Sequence, residues 1–372
     1  MKAIGIILAG GTNKRMKSLT TTRAIAAMPV AGSYRAIDFA LTNMSNSHIQ
    51  KVAVLTQYNT RSLHEHLSSS KWWDFGRKQG GLFIYAPTIT QENTSWSRGT
   101  IDSMYQNIHF LKDSHDPYVI IASGDGIYKL DYNKVLDYHI QKRADITVVT
   151  TRLQDWADSG RFGQVVTDED NRILSLEEQP MVEVTREVSC GIYVLRRRLL
   201  IELLETCMAE DRYSFVQDIL IRYRNAKRIY AYHLDTYWSN VTSVEAYFRT
   251  NMDFLKRDVR SFFFREEGAV RTKATDFPPA KYNPGSSVRN SLIAGGSIIN
   301  GTVEDSVIFK KTFIGTNCVI RNSIILNDVY IGDNSVIENC IVESHNTIYA
   351  NSQYRGTDQI RVVRENNNRY IV

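Results

Sequence analysis

Two short stretches carry the residues best suited to chemistry. In the first, an apolar run over residues 4–9 leads into Gly10-Gly11-Thr12-Asn13-Lys14-Arg15. Paired glycines let a backbone come close to a polyphosphate, and a guanidinium nearby supplies positive charge. In the second, the apolar run 118–123 is followed by Gly124-Asp125, a carboxylate at a strand end and so suited to a magnesium ion. A phosphate cradle usually wants another glycine where this chain has Asn13, whose Cβ is expected to restrict backbone approach and φ. Each feature alone is weak, because a Gly-Gly pair is often only a turn and an aspartate there can simply cap a helix.

Both stretches need a sheet to position them. Apolar strand candidates at 4–9, 51–56, 118–123 and 145–151 alternate with amphipathic stretches such as 34–48 and 100–112. That alternation implies an α/β domain with a Rossmann-like, mostly parallel sheet covered on both faces. Ligands of such sheets bind at the carboxyl ends of the strands, where Gly10–Arg15 and Gly124-Asp125 fall. Residues 245–257 read as a helix, and the stretch 275–287 then holds three of the seven prolines. Beyond it VRNSLI (288–293), VEDSVI (303–308), IRNSII (320–325) and IENCIV (337–342) align at spacings of 15, 17 and 17. IGTNCVI (314–320) and IGDNSVI (331–337) add two more matching lines. Aliphatics on a hexapeptide-like beat, with Gly, Asn, Asp and Ser at the corners, indicate a parallel β-helix. The expected division is an α/β domain at 1–257, a linker at 258–287 and a parallel β-helix at 288–372.

Bulk properties exclude several classes. The 372 residues, 43% hydrophobic and 23% charged, are ordinary for a soluble globular protein with room for two domains. A net charge of +5 is too mild to argue for nucleic acid and leaves anionic small ligands open. No apolar stretch approaches the ~18–20 residues that span a bilayer, and charges and glycines interrupt the first apolar run early, so a cytoplasmic location is expected. Cys190, Cys207, Cys318 and Cys340 are scattered without a C-x-x-C pair and are expected to be reduced thiols. His64 and His66 sit two apart, a poor spacing for joint metal ligation on a helix, and are expected at the surface. Arg196-Arg197-Arg198 reads as a solvated turn before a helix at 199–209, with a phosphate-bearing effector as the alternative. Trp72-Trp73 and GGLFIY (80–85) suit either a substrate cleft or a subunit contact.

The chain resembles a family, the bacterial glucose-1-phosphate adenylyltransferases (ADP-glucose pyrophosphorylases), which implies a nucleotidyltransferase-like domain at 1–257 and a left-handed hexapeptide β-helix at 288–372. The resemblance rests on LAGG…R, YRAIDFALTNMSNSHI (34–49), WSRGTIDSMYQN (96–107), SGDGIYKLDY (123–132), FG (162–163), EEQP (177–180), SCGIY (189–193) and YWSNVTSVEAYFRTNMDF (237–254). It implies tetramers that use magnesium to join ATP and glucose 1-phosphate into ADP-glucose and pyrophosphate, the donor step of glycogen synthesis. It implies nucleotide contacts at Gly10, Gly11, Arg15, Gly99 and Asp125, with Arg15 and Asp125 serving catalysis and Asp125 the metal. Sugar-phosphate contacts are implied at Gly163, Glu178, Gln179, Ser189, Tyr193 and Trp238.

Five positions depart from the family pattern. Asn13 replaces a loop glycine, Ile25 the lysine of Arg-Ala-Lys-Pro, Gln179 the lysine of Glu-Lys-Pro, Asn240 the second magnesium aspartate, and Ser97 an aromatic. The pattern most resembles the non-identical accessory subunit of Gram-positive glycogen synthesis. That likeness implies a weakly catalytic or non-catalytic chain in a heterotetramer with a catalytic homologue, with a homo-oligomer possible when it is alone. An enzyme active in its own right, and a sensor that binds ATP or sugar phosphate without chemistry, are the alternatives. No nucleic-acid or membrane partner is expected.

Overall fold

The computed structural model describes residues 2–76, 80–87, 96–153, 162–180 and 184–364. The chain forms two compact units. One comprises Met1–Gly11, Phe39–Thr60 and Leu67–Trp238; the other comprises Thr12–Asp38, Arg61–His66 and Ser239–Val372.

The first unit is built on nine strands: β1 (Ala3–Leu8), β2 (Lys51–Leu55), β3 (Gly81–Tyr85), β4 (Tyr118–Ser123), β5 (Ile146–Arg152), β6 (Gly163–Thr167), β7 (Ile173–Glu178), β8 (Glu187–Arg196) and β9 (Ile229–His233). Their order is β7-β6-β8-β4-β1-β2-β3, with β5 also paired to β8 and β9 to β5. Strands β1 to β4 run parallel, and β9 runs parallel to β5. The reversed strand β8 is antiparallel to both β4 and β5. Ile4, Ile7, Val52, Val54, Val119 and Ile121 are fully buried, as continuous apolar strands covered on both faces require.

Helices cover the sheet. In α1 (Ala36–Asn46), Met44 packs so close to β1 that a Cβ on Gly5 would lie 2.8 Å from its sulfur. The buried Asn43 donates to the Tyr128 carbonyl and accepts from the Leu130 amide, clamping the chain that leaves β4. The amphipathic stretch at 100–112 forms two helices, α3 (Thr100–Tyr105) and α4 (Ile108–Lys112). Asn107 breaks it: its side chain donates to the Ser103 carbonyl and its φ of −112° is not helical. After α5 (Tyr132–Gln141), α6 (Arg197–Ala209) buries Leu200, Leu203, Leu204 and Cys207, one apolar stripe at helical spacing. Arg197 is no free cation at a solvated turn. Its guanidinium donates to the carbonyls of Asp116 and Leu111, a structural duty.

The second unit contains the β-helix. Its three five-stranded parallel sheets begin at Lys281–Tyr282, Ser287–Arg289 and Leu292–Ile293. Inward columns such as Val303, Ile320 and Ile337, or Ile299, Ile314, Ile331 and Ile348, stack in register and are fully buried. Corners use asparagine at positive φ, including Asn317, Asn334 and Asn351, whose amides bond to one another from coil to coil. The range expected to be a linker holds regular structure: α8 (Arg257–Phe264), following α7 (Val244–Asp253), and the first β-helix strand. Pro284-Gly285 makes a corner of the first coil, with Gly285 at φ +86°.

One face of the β-helix is covered within this unit. The outward residues Val307, Ile324 and Ile341 are fully buried. The segment before α1 lies against the neighbouring Leu292, which a Cβ on Gly32 would meet at 2.4 Å. That segment is held from α7 by Tyr247, whose hydroxyl donates to the Pro29 carbonyl, and by Asn251, which accepts from the Ala31 amide. Helix α2 (Arg61–Leu67) corrects the expectation of two surface histidines. His66 is buried, 2.6 Å from the carboxylate of the fully buried Asp38, which an exposed ring could not satisfy. All four cysteines are free and buried. Among the described residues no helix is long and apolar enough to cross a membrane.

Candidate functional site

The first unit places Gly10, Gly11 and Asp125 just beyond the carboxyl ends of β1 and β4. Leu8 and Ser123 are register partners, and the Gly124 amide donates to the Leu8 carbonyl, so Gly10-Gly11 and Asp125 leave adjacent strands side by side. A Cβ on Gly11 would meet nothing within 4 Å, so its backbone is open to approach. Asp125 takes a 2.5 Å hydrogen bond from the Ser123 hydroxyl. Burial pushes its carboxyl above the usual range, and that hydroxyl opposes the rise. Gly191, at φ +68° in a bulge of β8, lies against Ser123, with its would-be Cβ 3.3 Å from the serine Cβ.

That bulge links Asp125 to the sugar-side residues. Ser189 precedes it, its Oγ accepting from the Gly191 amide. The Tyr193 phenol is pushed up to about 12 by burial, with a Ser189 hydrogen bond opposing and the Glu178 charge adding to the shift. Gly163 leaves space beside Ser189, since a Cβ there would come no nearer than 3.9 Å to anything. Tyr193, Ser189, Glu178 and Gly163 therefore form one cluster. Trp238 stands over Gly126 and packs edge-on against Phe162. Its indole Nε1–H is buried and, among the described residues, meets no acceptor. A buried donor without a partner costs about 1–3 kcal/mol, a debt that a ligand oxygen would remove. Gln179 sits at φ +50° with its side chain exposed.

Sequence reasoning missed the strap that holds this cluster. The segment Tyr213–Gln217 enters a π-helical stretch, Phe215–Ile221, a rare form often found at functional sites. At one end the Phe215 amide donates to Thr100 Oγ1, and the Ile101 amide donates to the Tyr213 carbonyl. At the other, Gln217 Nε2 donates to Glu178 Oε2 at 3.2 Å, and the Phe215 ring lies 4.9 Å from that of Tyr193. Gly99 belongs to this joint: a Cβ would fall 2.4 Å from the Tyr213 carbonyl oxygen, so the glycine serves close packing. No sequence signal marks Gln217, which is 39 residues from the carboxylate it orients. Ser97 uses its carbonyl to accept from Gln57 and its hydroxyl to reach Gln106.

The remaining predicted residues lie in the second unit. Asn13 is not strained: its φ is −140°, and its side chain accepts from the Arg15 amide as the cap of a short 3₁₀ turn, Lys14–Thr20. The expected restriction of φ is thus absent, and the residue works as a cap. Arg15 is exposed. Ile25 is buried, 6% exposed, within the turn Ile25–Ala27. Asn240 is 9% exposed and its Oδ1 accepts from the Thr242 hydroxyl at 2.9 Å. Among the described residues no group of three or more His, Cys, Asp or Glu side chains could hold a metal by itself. Asp125 therefore offers one carboxylate, which fits magnesium only where substrate phosphates complete the shell.

Comparison with known proteins finds two families, one for each part of the chain. The nucleotidyl transferase profile matches residues 4–257, and the GlmU-like C-terminal hexapeptide profile matches residues 277–362. A protein of Geobacillus stearothermophilus named glucose-1-phosphate adenylyltransferase is 36% identical over 323 residues, covering 86% of this chain and 83% of the relative. Proteins of the same name from Thermosipho africanus and Clostridium novyi are 38% and 35% identical, covering 77% and 84% of their own lengths.

Proposed function

Since this chain belongs to the glucose-1-phosphate adenylyltransferase family of nucleotidyl transferases, we propose that it acts there as an accessory subunit, weakly catalytic alone, raising the activity of a catalytic homologue in a hetero-oligomer. The family reaction brings the phosphate oxygen of glucose 1-phosphate onto the α-phosphorus of ATP, with pyrophosphate leaving. Charge accumulates on phosphate oxygens, so fixed cations and metal are what such a site must supply.

The observation that carries the proposal is the state of the departing residues. Where the family pattern has a lysine, Ile25 is part of a buried turn; where it has an aspartate, the Asn240 oxygen is already bonded to Thr242. Gln179 likewise offers an amide in place of a cation. Losing one transition-state contact typically costs ~10²–10³ in rate, so the set accounts for a loss on the order of 10⁴, the terms not being additive. What remains is recognition: Asp125, Glu178, Ser189, Tyr193 and the Trp238 indole donor suit sugar phosphate and nucleotide, and Asp125 is the residue that would hold a magnesium ion brought in with the phosphates.

A catalytic role in its own right is the second reading, favoured by Asp125 and by the strap that keeps Glu178 oriented. One experiment separates the two. The chain is purified alone, then co-expressed with the catalytic homologue of its own genome, and ADP-glucose formation and complex mass are measured. The accessory role expects a mixed complex whose activity exceeds that of either chain. Robust turnover by this chain alone, abolished by Asp125→Asn, would establish the enzyme reading. Failure to associate, with no change in rate, would refute the accessory one.

A further inference from the structure

Ser123 closes β4 at the point where three parts of the first unit meet. On one side it is the register partner of Leu8, the last residue of β1. On the other it faces Gly191 in the bulge of β8, where a Cβ would lie 3.3 Å from the serine Cβ. Two residues ahead stands Asp125, whose Oδ1 accepts from the Ser123 hydroxyl at 2.5 Å. The glycine loop after β1, the carboxylate and the strand that carries Ser189 therefore converge on one small side chain.

Two separate demands fix what can stand at this position. Size is limited by Gly191, which sits at φ +68° and whose amide donates to Ser189 Oγ. A long or branched side chain at 123 would push on that bulge, and through it on Ser189. Alanine would satisfy the packing equally well, because it keeps the Cβ. The hydroxyl answers a different need. Among the described residues it is the only side-chain group that bonds to Asp125. An aspartate carboxylate turns easily about χ2, since that torsion has only broad minima. A hydroxyl bonded to one oxygen stops the rotation and leaves the second oxygen for another partner. At this length the bond is of the strong, charge-assisted kind.

Taking Asp125 as the residue that would hold magnesium, we propose that Ser123 is a positioning residue for it. The Ser123 hydroxyl holds the carboxylate in one orientation, so that its second oxygen is ready for a metal ion arriving with a nucleoside triphosphate. Ser123 itself touches neither substrate. Magnesium demands near-ideal geometry, so a ligand oxygen free to wander would cost affinity. The sugar side does not depend on this bond, because the link from Ser123 to Ser189 runs through the Gly191 backbone.

The test is calorimetric titration of the full chain with ATP in magnesium, with ATP in EDTA, and with glucose 1-phosphate in EDTA. Magnesium is expected to tighten ATP binding by the parent, and Asp125→Asn to abolish that gain. Ser123→Ala should weaken ATP binding in magnesium about tenfold and leave the two titrations in EDTA within about twofold. Added to Asp125→Asn, it should change nothing further, because the hydroxyl acts through the carboxylate. Melting temperatures are measured alongside. Equal losses for ATP and glucose 1-phosphate, with a lowered melting temperature, would assign the hydroxyl to the fold. A further loss in the Asp125→Asn background would show that Ser123 acts directly, against the proposal. Parent-like ATP binding by Ser123→Ala, while Asp125→Asn loses the magnesium gain, would overturn the role of Ser123 and leave that of Asp125 standing. No magnesium gain in the parent would overturn both.

Discussion

One outward column of the β-helix and the strand ends of the α/β unit treat polar side chains in opposite ways. On the β-helix, Arg289, Glu304, Arg321, Glu338 and Arg355 stand in register, and each carboxylate is shared between the arginines above and below it. Near the strand ends, Trp238 Nε1 and Thr150 Oγ1 are buried without partners among the described residues, and Asp125 carries a carboxyl raised by burial. Along this column every charged side chain is met by an opposite charge on a neighbouring coil. At the strand ends the unmatched indole N–H of Trp238 is a donor that a ligand could complete.

Four substitutions or conditions would sharpen that contrast. The largest effect is expected in the β-helix interior. Ile320→Ala removes a fully buried side chain from a continuous column and should cost about 2–5 kcal/mol in denaturant unfolding. A loss below 1 kcal/mol would mean that the column is loosely packed. Next comes acid. His139 is buried, with Nδ1 2.8 Å from Thr147 Oγ1 and Nε2 unpaired, and burial lowers its pKa from 6.5 to about 4. The unfolded chain therefore binds a proton that the fold refuses. Stability contributed by neutral His139 should be complete above pH 6.5 and fall by roughly 3 kcal/mol on the way to pH 4. His139→Phe should flatten that limb, and an unchanged pH profile would remove histidine from the account.

The third effect belongs to the open region. Trp238→Phe deletes an unpaired donor, so melting should stay within about 0.5 kcal/mol of the parent while glucose 1-phosphate binds about tenfold more weakly, near 1.4 kcal/mol. Equal affinity in parent and variant would show that the indole faces no ligand. The smallest effect is expected for Arg321→Ala. Its side chain is 53% exposed, and exposed ion pairs contribute about 0–1 kcal/mol even when they look well made.

The sequence made the sheet and the coils legible because their signals are local. Apolar strands, positive-φ asparagines and a steady repeat can be read within a few residues. What stayed hidden depends on distant partners. Residues 12–38 join the unit that contains the β-helix through contacts such as Arg23 with Ser344 and Gly32 with Leu292, and no periodicity in that segment announces them. His66 looked like a surface residue because nothing nearby shows that Asp38 is buried. Gln217 escaped notice because a π-helical register, not a helical one, aims it at Glu178. Asn13 was read as a defect in a phosphate loop, whereas its geometry is that of an ordinary cap. Gly99 in turn is needed by Tyr213, which a motif match cannot distinguish from need by a nucleotide.

The arginine–glutamate column has an odd number of rungs, and so it begins and ends on the same sign, with Arg289 at one end and Arg355 at the other. Two such columns meeting end to end would set guanidinium against guanidinium, although the exposed strand edges on either side would otherwise invite the coils to continue. The arithmetic also constrains how this domain can change in length. Gaining or losing a single coil would leave a glutamate at one end and turn a self-avoiding rod into one with complementary tips, while gaining or losing two would preserve the rule.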